Sequence, residues 1–122
     1  MQSLFEIAAN FTAMLRSKQF AAAGEAYWAD HVISTEPYDL PSGFPAKVSG
    51  IAATRNKWNA RFDGARIDEI SIDGPFVTGN QFALFIDMMI VSPAGGAARP
   101  FTQIAVYTIC GGHISEERHF YD

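Results

Sequence analysis

The spacing of the hydrophobic residues changes once along this 122-residue chain, close to its middle. In the first half, apolar residues recur every three or four positions within three segments, which is typical of amphipathic helices. The first segment begins at the capping-box sequence Ser3-Leu-Phe-Glu6, the second covers residues 18–28, and the third follows Ser49 and ends at Asp63-Gly64. The first half therefore predicts three helices.

In the second half, apolar and polar residues alternate, which is typical of half-buried strands. Strands are predicted at 66–73, at 76–91 with a turn at Gly79-Asn80, at 101–110 and at 113–121, with an interruption at Gly74-Pro75. An earlier short strand is predicted at 30–36, followed by a loop rich in Pro at 37–48. Helices followed by an antiparallel meander favour an α+β fold: three helices packed on a strongly curved sheet that forms a cone. The length predicts a single domain, residues 1–122.

Hydrophobic residues make up 48% of the chain, and Phe occurs ten times. The apolar content excludes an intrinsically disordered chain, and the number of Phe exceeds what a small core usually requires. Because a curled sheet closed by helices encloses a conical space, we expect part of this aromatic surface to line a cavity. A small molecule is therefore the expected partner.

The charged and metal-binding residues exclude other classes of protein. The net charge is −4 and the basic residues do not cluster, so nucleic acid is not an expected partner. The single Cys110 excludes an internal disulfide, and the three His lack metal-ligand spacing, so we predict neither a metal nor a cofactor. The longest uncharged run, 100–115, alternates like a strand, and no basic segment precedes the first apolar stretch. We expect a cytoplasmic protein without a membrane partner.

Several segments resemble the SnoaL-like group of the nuclear transport factor 2-like superfamily. They are Val32–Pro37, Gly50-Ile51, Asp73–Val77, Ile104–Ile109 and Gly112–Asp122. The resemblance implies a cone of three helices against a bent sheet, a deep apolar pocket and a homodimer. It also implies enzymes such as ketosteroid isomerases, polyketide cyclases and dehydratases, together with members that are not enzymes.

Glu36 is the first candidate catalytic residue. The Glu36-Pro37 step resembles the Asp-Pro step at which ketosteroid isomerases carry their general base. A carboxylate at the mouth of an apolar pocket has a raised pKa, which suits abstraction of a proton beside a carbonyl. The alternative is a surface Glu at the end of a strand.

The last predicted strand supplies a second group. Ser115, Glu117, His119 and Tyr121 share one face, which by resemblance points into the cone. Glu117 and His119, two residues apart on that face, are close enough to share a proton and to act as acid and base. The alternative is a slip of one residue in the Gly111-Gly112 turn, which turns both side chains to solvent.

Two further positions lie on the predicted strands. Asp87 interrupts an apolar run, and if it points inward, Phe85 and Met89 form pocket wall beside it; an outward Asp87 is equally compatible with the pattern. Gln103 stands where related sequences often carry an acid. A Gln can donate a hydrogen bond to an oxyanion but cannot carry a proton.

Aromatic residues complete the candidate site. The residues expected to shape the pocket or bind substrate are Tyr27, Trp28, Trp58, Tyr107 and Tyr121, with core packing the favoured alternative for Trp58. On the third helix, Arg55, Lys57 and Arg61 are expected mostly to face water. Three functions remain open: a cofactor-independent isomerase, cyclase or dehydratase, a non-catalytic carrier or sensor of the same ligand, and a dimerisation module.

Overall fold

A computed structural model describes residues 2–62 and 64–122. Within these ranges the helices are α1 (Leu4–Arg16), α2 (Phe20–Tyr27) and α3 (Ile51–Phe62). The strands are β1 (Trp28–Thr35), β2 (Lys47–Ser49), β3 (Arg66–Thr78), β4 (Gln81–Val91), β5 (Arg99–Cys110) and β6 (His113–Phe120). They form one sheet in the order β2-β1-β6-β5-β4-β3, antiparallel except where β1 pairs with β6. The α+β prediction is confirmed.

The predicted capping box starts α1. The Ser3 hydroxyl accepts a hydrogen bond from the Glu6 amide at 3.1 Å, and the Glu6 carboxylate accepts one from the Ser3 amide at 3.2 Å. The apolar face of α1 packs on the inner face of the sheet, where the Phe11 ring lies 4.9 Å from that of Tyr107 and 6.1 Å from that of Phe82. The helix therefore covers the start of β4 and the paired end of β5, where Phe82 lies opposite Tyr107.

The junction between α2 and β1 differs from the prediction. Helix α2 ends at Tyr27, and Trp28, expected to be helical, has extended backbone (ψ 133°) and begins β1. The Trp28 ring packs directly over Gly24, one turn earlier: a Cβ at Gly24 would lie 2.7 Å from ring atoms of Trp28. Without a side chain at Gly24, the indole can turn back under the helix toward the sheet.

Strand β2 was not predicted. It occupies the end of the expected loop and pairs antiparallel with β1, with Ile33 opposite Ser49 and Thr35 opposite Lys47. Ser49, expected as the cap of α3, is therefore a strand residue, and the first helical hydrogen bond runs from the Thr54 amide to the Gly50 carbonyl at 3.0 Å. Gly50 has φ 94°, a left-handed conformation that glycine adopts without a Cβ clash.

The remaining turns follow the prediction more closely. β3 continues through Gly74-Pro75 with a shift of register between Asp73 and Phe76, so the expected interruption is a bulge within one strand. Gly79-Asn80 and Gly111-Gly112 join consecutive strands as predicted. Asp63, expected at the end of α3, lies outside the described residues.

A bulge in β6 sets the orientation of its side chains. Ile109 of β5 pairs with Ile114, whereas the neighbouring Thr108 pairs with Glu116, which leaves Ser115 as the extra residue. Ile114 and Glu117 consequently both point toward the helices and are buried. In the described part of the chain, no helix is both long enough and apolar enough to cross a bilayer.

Candidate functional site

A cavity of about 90 Å³ lies between the three helices and the inner face of the sheet. Most of its wall is apolar. The apolar and aromatic lining residues include Phe11, Leu15, Phe20, Trp28, Trp58, Ile70, Ile86 and Met88. Six polar side chains line the same space: Arg55 and Asn59 from α3, Gln103 and Tyr107 from β5, and Glu117 and His119 from β6. An apolar cavity with a few convergent polar groups is the usual form of a small-molecule site.

Three of these polar groups form a continuous hydrogen-bonded chain. The two ring nitrogens of His119 lie 3.1 Å from the Gln103 side-chain carbonyl (Nδ1) and 3.0 Å from Oε2 of Glu117 (Nε2). The predicted pairing of Glu117 with His119 on one face is confirmed, and the predicted alternative, a slip that exposes both, is wrong. Nε2 can donate to Glu117, and the Gln103 amide can accept a hydrogen bond from Nδ1 or, turned over, donate one to it, so this geometry accommodates both a neutral and a protonated imidazole.

Glu117 is held from three sides. Oε2 also accepts a hydrogen bond from the Ser34 hydroxyl at 2.8 Å, and Oε1 accepts one from the Trp28 indole at 2.7 Å. Burial alone would raise the pKa of Glu117, but the hydrogen bond and charge of His119, with the bonds from Ser34 and Trp28, lower it below its usual value. Glu117 is therefore ionised at neutral pH and fixes the orientation of the imidazole.

Tyr107 supplies a neutral hydroxyl on the cavity wall. It lies opposite Glu117 in the pairing of β5 with β6, and its ring stacks on Phe82 at 4.9 Å. Burial and the charge of Glu117 raise its pKa well above the ordinary value for tyrosine. The phenol consequently stays protonated and is available as a hydrogen-bond donor.

The expectations for Glu36 are corrected. Its side chain is fully buried behind the cavity wall, and it accepts hydrogen bonds from Lys57 Nζ at 2.8 Å, Arg61 Nη1 at 2.8 Å and the Tyr121 hydroxyl at 2.9 Å. Burial alone would raise the pKa of Glu36, but the charges of His119 and Arg61 and the hydrogen bond from Lys57 lower it to about 2. The predicted raised pKa of Glu36 is therefore wrong. A carboxylate with so low a pKa is also a poor proton acceptor.

Lys57 and Arg61 are buried, contrary to the prediction that they face water. Their side chains are 3% and 6% exposed, and burial lowers the pKa of Lys57. The sequence contains a signal for this: Thr54, Lys57 and Arg61 recur at helical spacing and therefore share one face of α3. That face is directed at Glu36, whose burial requires cationic partners.

Asp87 points away from the cavity, so its predicted catalytic position is wrong. Leu84, Ile86 and Met88 are buried under the helices, and the alternation of β4 places Phe85, Asp87 and Met89 on the outer face of the sheet. Phe85 is 38% exposed, and Asp87 accepts a hydrogen bond from Thr102 of β5 at 2.7 Å. Phe85 and Met89 are therefore not pocket wall.

The other aromatic candidates divide into two groups. Trp28 and Trp58 line the cavity as predicted, and Trp58 also packs on Phe20 at 5.0 Å as part of the core. Tyr27 is buried, but it does not line the cavity, and its hydroxyl donates a hydrogen bond to Gln2 at 3.2 Å. Tyr121 lines a separate groove and donates to Glu36, so neither tyrosine is in the cavity.

Among residues 2–62 and 64–122, His, Cys, Asp and Glu side chains form no group of three or more that could hold a metal ion.

The comparisons with known proteins agree with this architecture. The family model described as SnoaL-like domain matches residues 3–121. A crystal structure from Mesorhizobium loti, of a candidate SnoaL-like polyketide cyclase, is 32% identical over 98% of this chain and 100% of its own, with TM-score 0.86.

Two more distant structures share the fold. A nuclear transport factor 2-like protein from Burkholderia thailandensis is 17% identical over 100% of this chain and 92% of its own, with TM-score 0.80. A candidate isomerase from Bacillus subtilis is 17% identical over 99% and 90%, with TM-score 0.77. No curated protein matches the chain in sequence.

Proposed function

Since the chain belongs to the SnoaL-like domain family, we propose that it binds a small, mostly apolar carbonyl compound in the cavity and moves a proton on it. The reaction class is isomerisation, cyclisation or dehydration by general acid–base catalysis. The observation that carries this proposal is the hydrogen-bonded chain from Gln103 through His119 to Glu117, which opens on an apolar cavity. A buried acid–base pair beside an apolar surface has the chemistry that enolisation of a carbonyl compound requires.

His119 is the proposed proton carrier. Glu117 holds its Nε2, which leaves Nδ1 as the position that exchanges a proton with the substrate. The Gln103 amide can accept a hydrogen bond from Nδ1 or, turned over, donate one to it, so it accommodates both protonation states of the ring. The substrate replaces this amide at Nδ1 during proton transfer.

Tyr107 is the proposed partner of the carbonyl oxygen. As the α-proton leaves for His119, negative charge develops on that oxygen, and a protonated phenol in a buried site stabilises it by donating a hydrogen bond. The imidazolium then returns the proton to a different carbon in an isomerisation, or to a leaving hydroxyl in a dehydration. Glu36 acts in this scheme as a positioning residue, because it balances Lys57 and Arg61 behind His119.

The experiment is exchange of α-hydrogens for deuterium in heavy water, followed by NMR. A cavity of about 90 Å³ is smaller than the ~150 Å³ cavity that admits benzene, so the probe series begins at acetone and increases through cyclopentanone to cyclohexanone. Exchange above the buffer rate for a ketone that also binds is the expected result. Absence of both binding and exchange across the series would overturn the proposal.

A carrier or sensor is the second candidate function. The observation that favours it is the complete set of hydrogen bonds around Glu117, which resembles a structural site as much as a reactive one. Saturable binding of a ketone with no exchange above the buffer rate would support this candidate against the enzyme.

We also propose that the outer face of the sheet pairs two copies of the chain. Phe85, Ile104 and Phe120 lie directly opposite one another across β4, β5 and β6, and they are 38%, 43% and 44% exposed. A contiguous apolar row on a solvent-facing sheet favours association with another surface. The proposal does not depend on the chemistry of the cavity.

A further inference from the structure

A second groove of about 550 Å³ lies on the opposite side of Arg61 from the cavity. The groove is enclosed by the end of α3, the loop after β1, the facing ends of β4 and β5, and the residues after β6. Its main lining residues are Tyr38, Pro41, Arg61, Phe62, Arg99, Phe101 and Tyr121. It shares no lining residue with the cavity, and its volume is within the usual range for small-molecule sites.

Arg61 contributes two unpaired donors to this region. Its side chain is 6% exposed, and Nη1 donates to Glu36 at 2.8 Å. Nε and Nη2 are buried and have no hydrogen-bond partner among the described residues. These two nitrogens lie on one edge of the planar guanidinium and form a fork whose spacing matches the two oxygens of a carboxylate.

Aromatic rings surround the guanidinium without supplying an acceptor. The Arg61 Cζ lies 4.6 Å from the centre of the Phe62 ring and 5.3 Å from those of Trp58, Phe101 and Tyr121. Cation–π attraction offsets part of the desolvation of the charge. Each buried donor without an acceptor still carries an uncompensated desolvation penalty, so a ligand that supplies acceptors to the fork would be stabilised there.

We propose that this groove binds an aromatic monocarboxylate, with the carboxylate on Nε and Nη2 of Arg61. The walls favour a flat aromatic ring, because Phe62, Phe101, Tyr38 and Pro41 present flat apolar surfaces. A single negative charge fits better than a phosphate dianion, because Glu36 already neutralises part of the Arg61 charge. Arg99 also lines the groove and attracts an anion, and it offsets the acidic Asp122 at the same edge.

The ligand reaches the fork by displacing a ring. Tyr121 is the ring best placed to move, because it follows the end of β6 and is only partly buried. Its contacts include the hydrogen bond to Glu36 at 2.9 Å, edge contacts with Phe101 at 4.9 Å and Tyr38 at 5.6 Å, and the Arg61 guanidinium at 5.3 Å from the ring centre. Movement of the Tyr121 ring opens the fork to the groove and leaves the Arg61 pair with Glu36 in place.

The test is titration of the protein with benzoate while the Arg61 Nε–H signal is followed by ¹⁵N NMR. We expect saturable binding with a shift of that signal, and no comparable binding of benzyl alcohol, which matches the size of benzoate without its charge. The substitution Arg61→Lys keeps a cation beside Glu36 but removes the fork, and it is expected to weaken benzoate binding by about tenfold or more. Arg99→Gln, which leaves the buried pair intact, is expected to weaken binding less and to reduce its dependence on salt.

Three results would overturn the proposal. They are no saturable binding of benzoate to the parent protein, equal binding of benzyl alcohol, and unchanged benzoate affinity in Arg61→Lys. Inorganic phosphate bound as tightly as benzoate would equally contradict the aromatic part of the assignment. If Arg61→Lys does not fold, Arg99→Gln and the Arg61 Nε–H signal of the parent protein still decide between these outcomes.

Discussion

Nε2 of His119 lies 3.7 Å from Oε2 of Glu36, so the ion pairs of α3 and the hydrogen-bonded chain in the cavity belong to one electrostatic unit. Two carboxylates, Glu36 and Glu117, balance the two cations Lys57 and Arg61. The net charge of the buried cluster is therefore set by whether His119 carries a proton. This arrangement joins a structural requirement, the neutralisation of buried charges, to the proposed proton transfer.

Removal of the Glu36 charge is expected to destabilise the fold. The substitution Glu36→Gln leaves Lys57 and Arg61 buried without a counter-charge, and breaking a buried pair in this way costs about 3–5 kcal/mol. Urea denaturation measures the free energy of unfolding. The matched control is Glu25→Gln, which breaks the exposed pair of Glu25 with Arg55 on the other side of α3 and is expected to cost less than about 1 kcal/mol. Equal effects of the two substitutions would show that the Glu36 pairs do not stabilise the fold.

Stability is expected to fall in acid through the same carboxylate. The pKa of Glu36 is about 2 in the folded chain and 4.5 ordinarily, so the stabilisation is complete above pH 4.5 and is lost as the pH falls toward 2. The lowered pKa of Glu117 acts in the same direction. The measurement is the urea midpoint across this range. Glu36→Gln is expected to show a flatter dependence on pH than the parent, and parallel curves would assign the acid transition to other groups.

Gly24 is expected to control the position of Trp28. The substitution Gly24→Ala places a Cβ 2.7 Å from the indole ring, which must shift and lose its hydrogen bond to Glu117. Overpacking of this kind costs about 1–3 kcal/mol. The measurements are urea denaturation and the indole N–H signal of Trp28 in ¹⁵N NMR. Ala22→Gly, on the same helix but exposed, controls for helix propensity, and an unmoved indole signal in Gly24→Ala would contradict the predicted clash.

A charge in the apolar row of the outer face is expected to separate two paired copies. Ile104 lies at the centre of the row between Phe85 and Phe120 and is already 43% exposed, so Ile104→Lys leaves the core of the monomer intact. Light scattering is expected to give the mass of a dimer for the parent and of a monomer for this variant. A parent protein that is monomeric at micromolar concentration would contradict the proposal.

Local sequence patterns predicted the fold well and the site in part. The capping box at Ser3, the change of hydrophobic period and the glycine turns are determined by neighbouring residues, and they are present in the structure. The inward orientation of Glu117 and His119 was also predicted, although the bulge at Ser115 that brings Ile114 to the same face was not. A bulge depends on pairing with another strand and leaves little trace in local alternation.

The errors concern groups whose burial depends on distant partners. Lys57 and Arg61 were expected in water, because a cation on a helix is usually exposed; only contact with Glu36, more than 20 residues earlier in the chain, makes their burial favourable. The same contacts lower the pKa of Glu36 instead of raising it. Asp87 was ambiguous, because alternation defines two faces of a strand and only the packing of Leu84, Ile86 and Met88 under the helices selects the inner one.

The most direct test of the proposed proton transfer is the rate of deuterium exchange into a bound ketone, compared between the parent, His119→Gln and Asp87→Asn. His119→Gln is expected to keep its affinity for the ketone and to lose roughly 100-fold or more of the exchange rate, the usual contribution of a general acid–base residue. Asp87→Asn, on the outer face, is expected to match the parent in both quantities. A His119→Gln protein that binds the ketone and exchanges it at the parent rate would contradict the account.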